Sequence, residues 1–141
     1  MKKLFFLLII ICFYGCGYSS VYQDQKKDLR INVNNMKGDF ELNNFIKNNL
    51  KIASNPNSNN IYNLSYNSEY RKNALTKDAT GKITDYKIEM IVNFIIDSRQ
   101  GKIITFKENF NIKSNNENFE QSSYEREIKK NFADSVKNEL I

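Results

Sequence analysis

From Tyr86 to Ile96 every second residue is apolar: Tyr86, Ile88, Met90, Val92, Phe94 and Ile96 alternate without a break. A two-residue period places all of these side chains on one face of an extended strand, so the chain must build a sheet with a buried face. The opposite face reads Asp85, Lys87, Glu89, Ile91, Asn93 and Ile95, polar at one end and apolar at the other. A cover over that apolar end is expected, and a full layer over the other face is required.

The flanking sequence supplies neighbours for this strand. Tyr62, Leu64, Tyr66 and Tyr70 share one face of a preceding strand, opposite Asn63, Ser65, Asn67 and Glu69. Ala79-Thr80-Gly81-Lys82 reads as the turn between the two. Asp97-Ser98-Arg99-Gln100-Gly101 reads as a short hairpin loop, after which Ile104, Phe106, Phe110 and Ile112 carry a return strand. Glu108 interrupts that apolar face, at a bulge or at a rim. A further short strand comes earlier, where Leu29, Ile31 and Val33 alternate with Arg30, Asn32 and Asn34.

Two segments carry helical periodicity. After Gly38, with Asp39 as N-cap, Leu42, Phe45, Ile46, Leu50 and Ala53 recur at spacings of three and four, and Pro56 in an Asn-rich loop ends the run. Near the end of the chain Ser122 and Glu125 form a capping-box pattern, and Tyr124, Ile128, Phe132, Val136 and Leu140 recur every four residues. Arg126, Lys129, Lys130 and Lys137 are assigned to the polar side of that helix. The order strand, helix, three-strand meander, helix predicts an α+β two-layer sandwich, with both helices on one face of a four-stranded, mostly antiparallel sheet. In it the tyrosine stripe of Tyr62, Tyr66, Tyr70 and Tyr86 reads as core with its hydroxyls reaching the rim, rather than as a contact surface.

The first residues follow another logic. Lys2 and Lys3 precede a run from Leu4 to Phe13 that is apolar apart from Cys12, the length of a signal-peptide core and too short to span a bilayer. Gly15 leaves room at a cleavage site before Cys16, whereas Cys12 follows Ile9-Ile10-Ile11. Residues 1–15 are therefore expected to be a lipoprotein signal peptide, Cys16 the lipidated terminus, residues 16–27 a polar tether, and residues 28–141 one domain. Such a protein sits outside the cytoplasm, held to a membrane by acyl chains.

Composition narrows the chemistry. The formal charge of +5 falls further once Lys2 and Lys3 leave, too small an excess to argue nucleic-acid binding. The abundance of Asn, Lys and Ile reads as codon bias, because the Asn residues are interleaved with periodic apolar positions. There is no His, and beyond Cys16 no thiol, so the commonest base, nucleophile and zinc ligands are missing. No phosphate loop, nucleophile elbow or calcium-loop pattern occurs. The expectation is a protein that is not an enzyme and needs no cofactor or metal.

Several pieces together carry a resemblance. Cys16-Gly17-Tyr18 behind a lipobox-like segment, the Leu29–Val33 strand, Lys82-Ile83-Thr84-Asp85-Tyr86-Lys87-Ile88, and the ending Phe132-Ala133-Asp134-Ser135-Val136-Lys137-Asn138-Glu139-Leu140 resemble the lipopolysaccharide-assembly lipoprotein family, LptE. Phe13 and Tyr14 depart from the usual lipobox, whose pattern is Leu, a small residue, Gly or Ala, then Cys. The resemblance implies an outer-membrane lipoprotein on the periplasmic side that plugs a large β-barrel translocon, LptD, helps it assemble and contacts lipopolysaccharide. Gly17, where Asp would resemble an inner-membrane retention signal, agrees with outer-membrane sorting. By the same resemblance Lys82, in the turn before the long strand, is a ligand-contact residue for lipopolysaccharide, with Arg71 and Lys72 as further cations of that kind. A second basic position implied before the last helix falls near Glu117, with Lys113 the nearest cation. The alternative is an envelope lipoprotein that binds lipid or peptidoglycan without a barrel partner.

Overall fold

A computed structural model of the chain describes residues 28–97, 101–115 and 117–141. The leader, Cys16, the tether and the middle of the Asp97–Gly101 loop lie outside the described residues.

The domain runs β1 (Arg30–Gly38), α1 (Phe40–Ala53), β2 (Ile61–Lys77), β3 (Ile83–Ile96), β4 (Lys102–Lys113) and α2 (Asn118–Leu140). The sheet order is β1-β2-β3-β4, with β1 parallel to β2 and the remaining pairs antiparallel. This is the expected α+β sandwich, because β1 returns to β2 through α1 while the meander needs only hairpins. Both helices cover the face defined by Tyr86 to Ile96. Leu42, Ile46 and Leu50 of α1 and Ile128, Phe132, Ala133 and Val136 of α2 form the core with Leu64, Tyr66, Ile88, Met90, Val92, Phe94 and Ile112 of the sheet. Phe94 is the aromatic hub, its ring centroid 5.2 Å from Tyr66 and 5.8 Å from Phe106.

The strands exceed the sequence reading in two places. β1 runs past Val33 to Gly38, because its register with β2 slips between Val33 and Asn35 and Met36 rejoins the helix-facing side. A strict two-residue count loses the strand at that slip. β2 continues beyond Ser68, its last residue paired with β1, to Lys77, where pairing with β3 and not apolar alternation keeps it extended.

The turn from β1 into α1 depends on Gly38, at φ +102°, where a β-carbon would stand 1.7 Å from the Ser68 carbonyl oxygen. Asp39 follows as the expected N-cap, its carboxylate accepting from the Leu42 amide at 2.8 Å. The end of α1 is fixed to β1, since the Ile31 amide donates to the Ser54 hydroxyl at 2.9 Å and the Asn55 amide to the Leu29 carbonyl at 2.8 Å.

The second helix corrects the sequence reading. α2 starts at Asn118, so Ser122 lies inside it and no Ser122–Glu125 capping box forms; Glu117 is the N-cap residue and makes no side-chain cap bond. Asn115 organises the entry instead, accepting from the Glu117 amide at 3.1 Å while its own amide donates to Gln121 at 2.8 Å. Tyr124 is exposed, and the buried stripe begins at Ile128. Lys129, assigned to the polar side, is buried, because it shares the flank of Phe132, Ala133 and Val136 at spacings of three, four and seven.

Glu108 resolves as a rim residue. The β3–β4 register runs unbroken from Asp85↔Lys113 to Ile96↔Lys102, so there is no bulge, and Glu108 faces the flank of α2 beside Ser135 and Glu139.

Candidate functional site

The sheet has one face without a helix. Register lines its side chains into rows across β2, β3 and β4: Ser65–Ile95–Ile103, Asn67–Asn93–Thr105, Glu69–Ile91–Lys107, Arg71–Glu89–Asn109 and Asn73–Lys87–Asn111. Thr105 donates to Asn93 at 2.7 Å, and Lys107 pairs with Glu89 and Arg71 with Glu69. The surface is a ladder of hydrogen-bonding groups with one apolar corner. The cover expected over that corner is absent among the described residues: Ile95 is 49% and Ile103 65% exposed.

The sequence-predicted contact residues fall in different places. Lys82 ends the turn at the tip of the β2–β3 arm, a turn built by Asp78, whose carboxylate accepts from the Thr80 amide at 2.9 Å, the Thr80 hydroxyl at 2.6 Å and the Lys82 amide at 3.0 Å. The Thr80 hydroxyl bond, reinforced by the Lys82 and Thr80 amides and the Lys82 charge, holds the Asp78 carboxyl below its ordinary value. Arg71 lies on the helix-free face, and Lys72, its neighbour in β2, points to the helix layer. The separation from Ile83, at the base of the turn, to Glu89, opposite Arg71, is about 20 Å of strand. The structure does not bring the three cations together.

Lys72 joins a cluster that binds helices to sheet. Its ammonium pairs with Glu125 and lies 4.1 Å from the centre of the Tyr86 ring; Glu125 also accepts from the Tyr70 hydroxyl at 2.6 Å and from Gln121 at 2.9 Å. Lys129 stands 4.2 Å from the centre of the Tyr70 ring and reaches Asp39 and Glu41, each at 3.2 Å. Sequence reasoning missed Glu125, Lys129 and Glu41 as a unit because the partners are far apart in the chain. The one local signal was the position of Lys129 within the apolar stripe.

Burial pushes the Tyr66 hydroxyl up to about 12, and Tyr70 is raised further by burial and by its bond to Glu125. Burial alone would raise Glu125 as well, but donation from Lys72, Tyr70 and Gln121 and the Lys72 charge hold it below the usual glutamate range. A carboxyl depressed in the folded state stabilises above its unfolded pKa, about 4.3, and loses that contribution as pH falls through the folded value. We expect Glu125→Gln to lower the urea midpoint near neutrality and to flatten its decline as pH falls below about 5. An identical acid profile in wild type and variant would remove Glu125 as the coupled group.

In class, then, the molecule is a two-layer α+β domain with a bare polar sheet face and an arm that carries a basic turn beyond the helices. No protein-family model matches the chain, and no curated protein matches it in sequence. Solved structures do share the fold. Rare lipoprotein B from Shewanella oneidensis superposes with a TM-score of 0.52 at 15% identity, over 77% of this chain and 93% of that one. A minor lipoprotein from Acinetobacter baumannii gives 0.50 at 21% identity, over 75% and 91%. A lipoprotein B from Nitrosomonas europaea gives 0.50 at 6%, over 80% and 82%. At these identities the shared property is the fold, which is that of bacterial rare and minor lipoproteins.

Proposed function

We propose that this chain is a lipid-anchored lipoprotein of the bacterial outer membrane, on its periplasmic side, that plugs a large β-barrel translocon of the LptD kind, helps that barrel assemble and assists lipopolysaccharide insertion at the cell surface. The observation that carries the reading is the bare sheet face. Its Asn, Thr, Glu, Arg and Lys rows suit a wet barrel lumen, whose interior is polar, and would be costly against lipid. The fold shared with solved lipoproteins and the expected leader over residues 1–15, ahead of Cys16, support the same reading. Catalysis has no part in it.

In this reading Cys16 holds the domain at the membrane, and Lys82 on its Asp78-braced turn meets anionic groups of lipopolysaccharide. Pulldown of the tagged full-length chain from detergent-extracted outer membranes should yield a large β-barrel, and depletion of the chain should lower the amount of folded barrel. A pulldown without a barrel defeats the plug reading, and recovery of peptidoglycan or lipid alone would favour the alternative module. Lys82→Glu should weaken lipopolysaccharide binding while barrel recovery stays unchanged. Equal binding by variant and wild type at low salt would remove Lys82 from the contact.

A further inference from the structure

The β1 edge and the flank of α1 enclose a second feature, separate from the bare sheet face and from Lys82. Ile31 and Val33 of β1 and Leu50 of α1 line an apolar hollow of about 300 Å³, with Lys47 and Lys51 on its α1 side and Ser54 and Pro56 beside them; the backbone of β1 at Arg30 completes the lining, the Arg30 side chain alternating away from Ile31. None of the lining residues is acidic, and no described ion pair engages Lys47 or Lys51. Spacings of three and four along α1 put Lys47, Leu50 and Lys51 on one flank, so apolar floor and basic border come from a single helix surface. The Ile31 amide bond to Ser54 fixes that floor against the end of α1.

Its location matters equally. β1 starts here, the chain enters the domain at Asp28, and Asp28 is held by Asn60, whose side-chain amide donates to its carbonyl at 3.0 Å. Past Lys51 and Pro56 the surface opens out to the exposed Ile52. The end of the domain where β1 begins thus presents apolar surface flanked on its α1 side by Lys47 and Lys51. That is the chemistry of an anionic amphiphile, in which a charged head and an acyl chain are recognised side by side.

We propose that the β1–α1 hollow binds an anionic phospholipid, with its phosphate at Lys47 and Lys51 and the upper part of an acyl chain over Ile31, Val33 and Leu50. The site does not rest on the barrel reading, and either can fail while the other stands. It would give the domain a second hold on the leaflet beside the expected anchor, and so set its orientation as well as its location.

The test uses the full chain in phosphatidylcholine nanodiscs, titrated with dihexanoyl-phosphatidate and followed by the amide signals of Ile31, Val33, Lys47 and Leu50. Saturable shifts at these residues are expected, weakened roughly tenfold or more in the double variant Lys47→Glu with Lys51→Glu. The urea midpoint of the double variant checks its fold; if it falls, Lys47→Gln, a single neutralisation on an exposed flank, replaces it and should still weaken binding several-fold. Unchanged affinity in a folded charge variant overturns the proposal. Equal occupancy by inorganic phosphate, or by dihexanoyl-phosphatidylcholine, overturns it too, the first showing that the apolar floor takes no part and the second that the cations take none. Recovery of the barrel by the same variant, measured by pulldown, reports on the other reading alone.

Discussion

Gly38→Ala should destabilise the domain by about 3 kcal/mol or more, enough to leave a large unfolded fraction in a protein of ordinary stability. Two costs coincide. The backbone there sits at φ +102°, which an L-residue with a β-carbon adopts only under strain, and the new carbon would meet the Ser68 carbonyl oxygen at 1.7 Å. That oxygen also accepts the Asp39 amide at 3.3 Å, so moving it away loosens the cap that starts α1. Gly81→Ala is the matched control: φ is +86° in the β2–β3 turn, but no atom lies within 4 Å of the added carbon. It should cost about 1 kcal/mol. Urea denaturation of both variants checks the pair, and similar losses would mean that backbone conformation alone, not the contact with Ser68, sets the requirement for glycine.

Phe94→Ala should cost about 3–5 kcal/mol, because the ring is fully buried between Tyr66 and Phe106 and its removal leaves a cavity under both helices. Its neighbour gives the opposite result. Ile95 points to the helix-free face and is 49% exposed, so Ile95→Asn should change stability by no more than about 0.5 kcal/mol. The contrast between adjacent residues reads the two faces of β3 directly. A large loss from Ile95→Asn, measured by thermal melting of the full chain, would show that the apolar corner is covered in the native protein.

The fold was legible because its strongest signals are periodic. Alternation from Tyr86 to Ile96 and the spacing of Leu42, Ile46 and Leu50 each define a buried face, and the two faces meet in one core. What escaped detection has local causes. β1 was cut short where its register slips after Val33, and the start of α2 was displaced because Asn115, outside the helix, does the work assigned to Ser122. Periodicity is blind to a strand that changes face, and a capping box is only one way to satisfy the first amides of a helix.

The candidate site was less legible than the fold. Lys82 lies in the turn that its sequence position indicates, but Arg71 and Lys72 lie on opposite faces of one strand, and Lys72 is committed to Glu125 and the Tyr86 ring. The tyrosine stripe divides: Tyr66 is core, Tyr70 and Tyr86 reach the ionic cluster, and Tyr62 is exposed. Alternation says which face a side chain takes but not how far along the strand the helices extend. That boundary, set by tertiary packing, decides which tyrosines stay dry.

The parallel pairing of β1 with β2 has a mechanical consequence. Residues before Asp28 join the domain at the end of the sheet where Arg30 pairs with Ile61, so tension applied through them acts along the axis of β1. The parallel bonds on either side of the slip between Val33 and Asn35 are then loaded in shear and share the force, rather than opening one after another like a peeled hairpin. A domain held at that end is loaded against the pairing of β1 with β2, and the rate at which it yields is set by the unfolding barrier and not by its equilibrium stability.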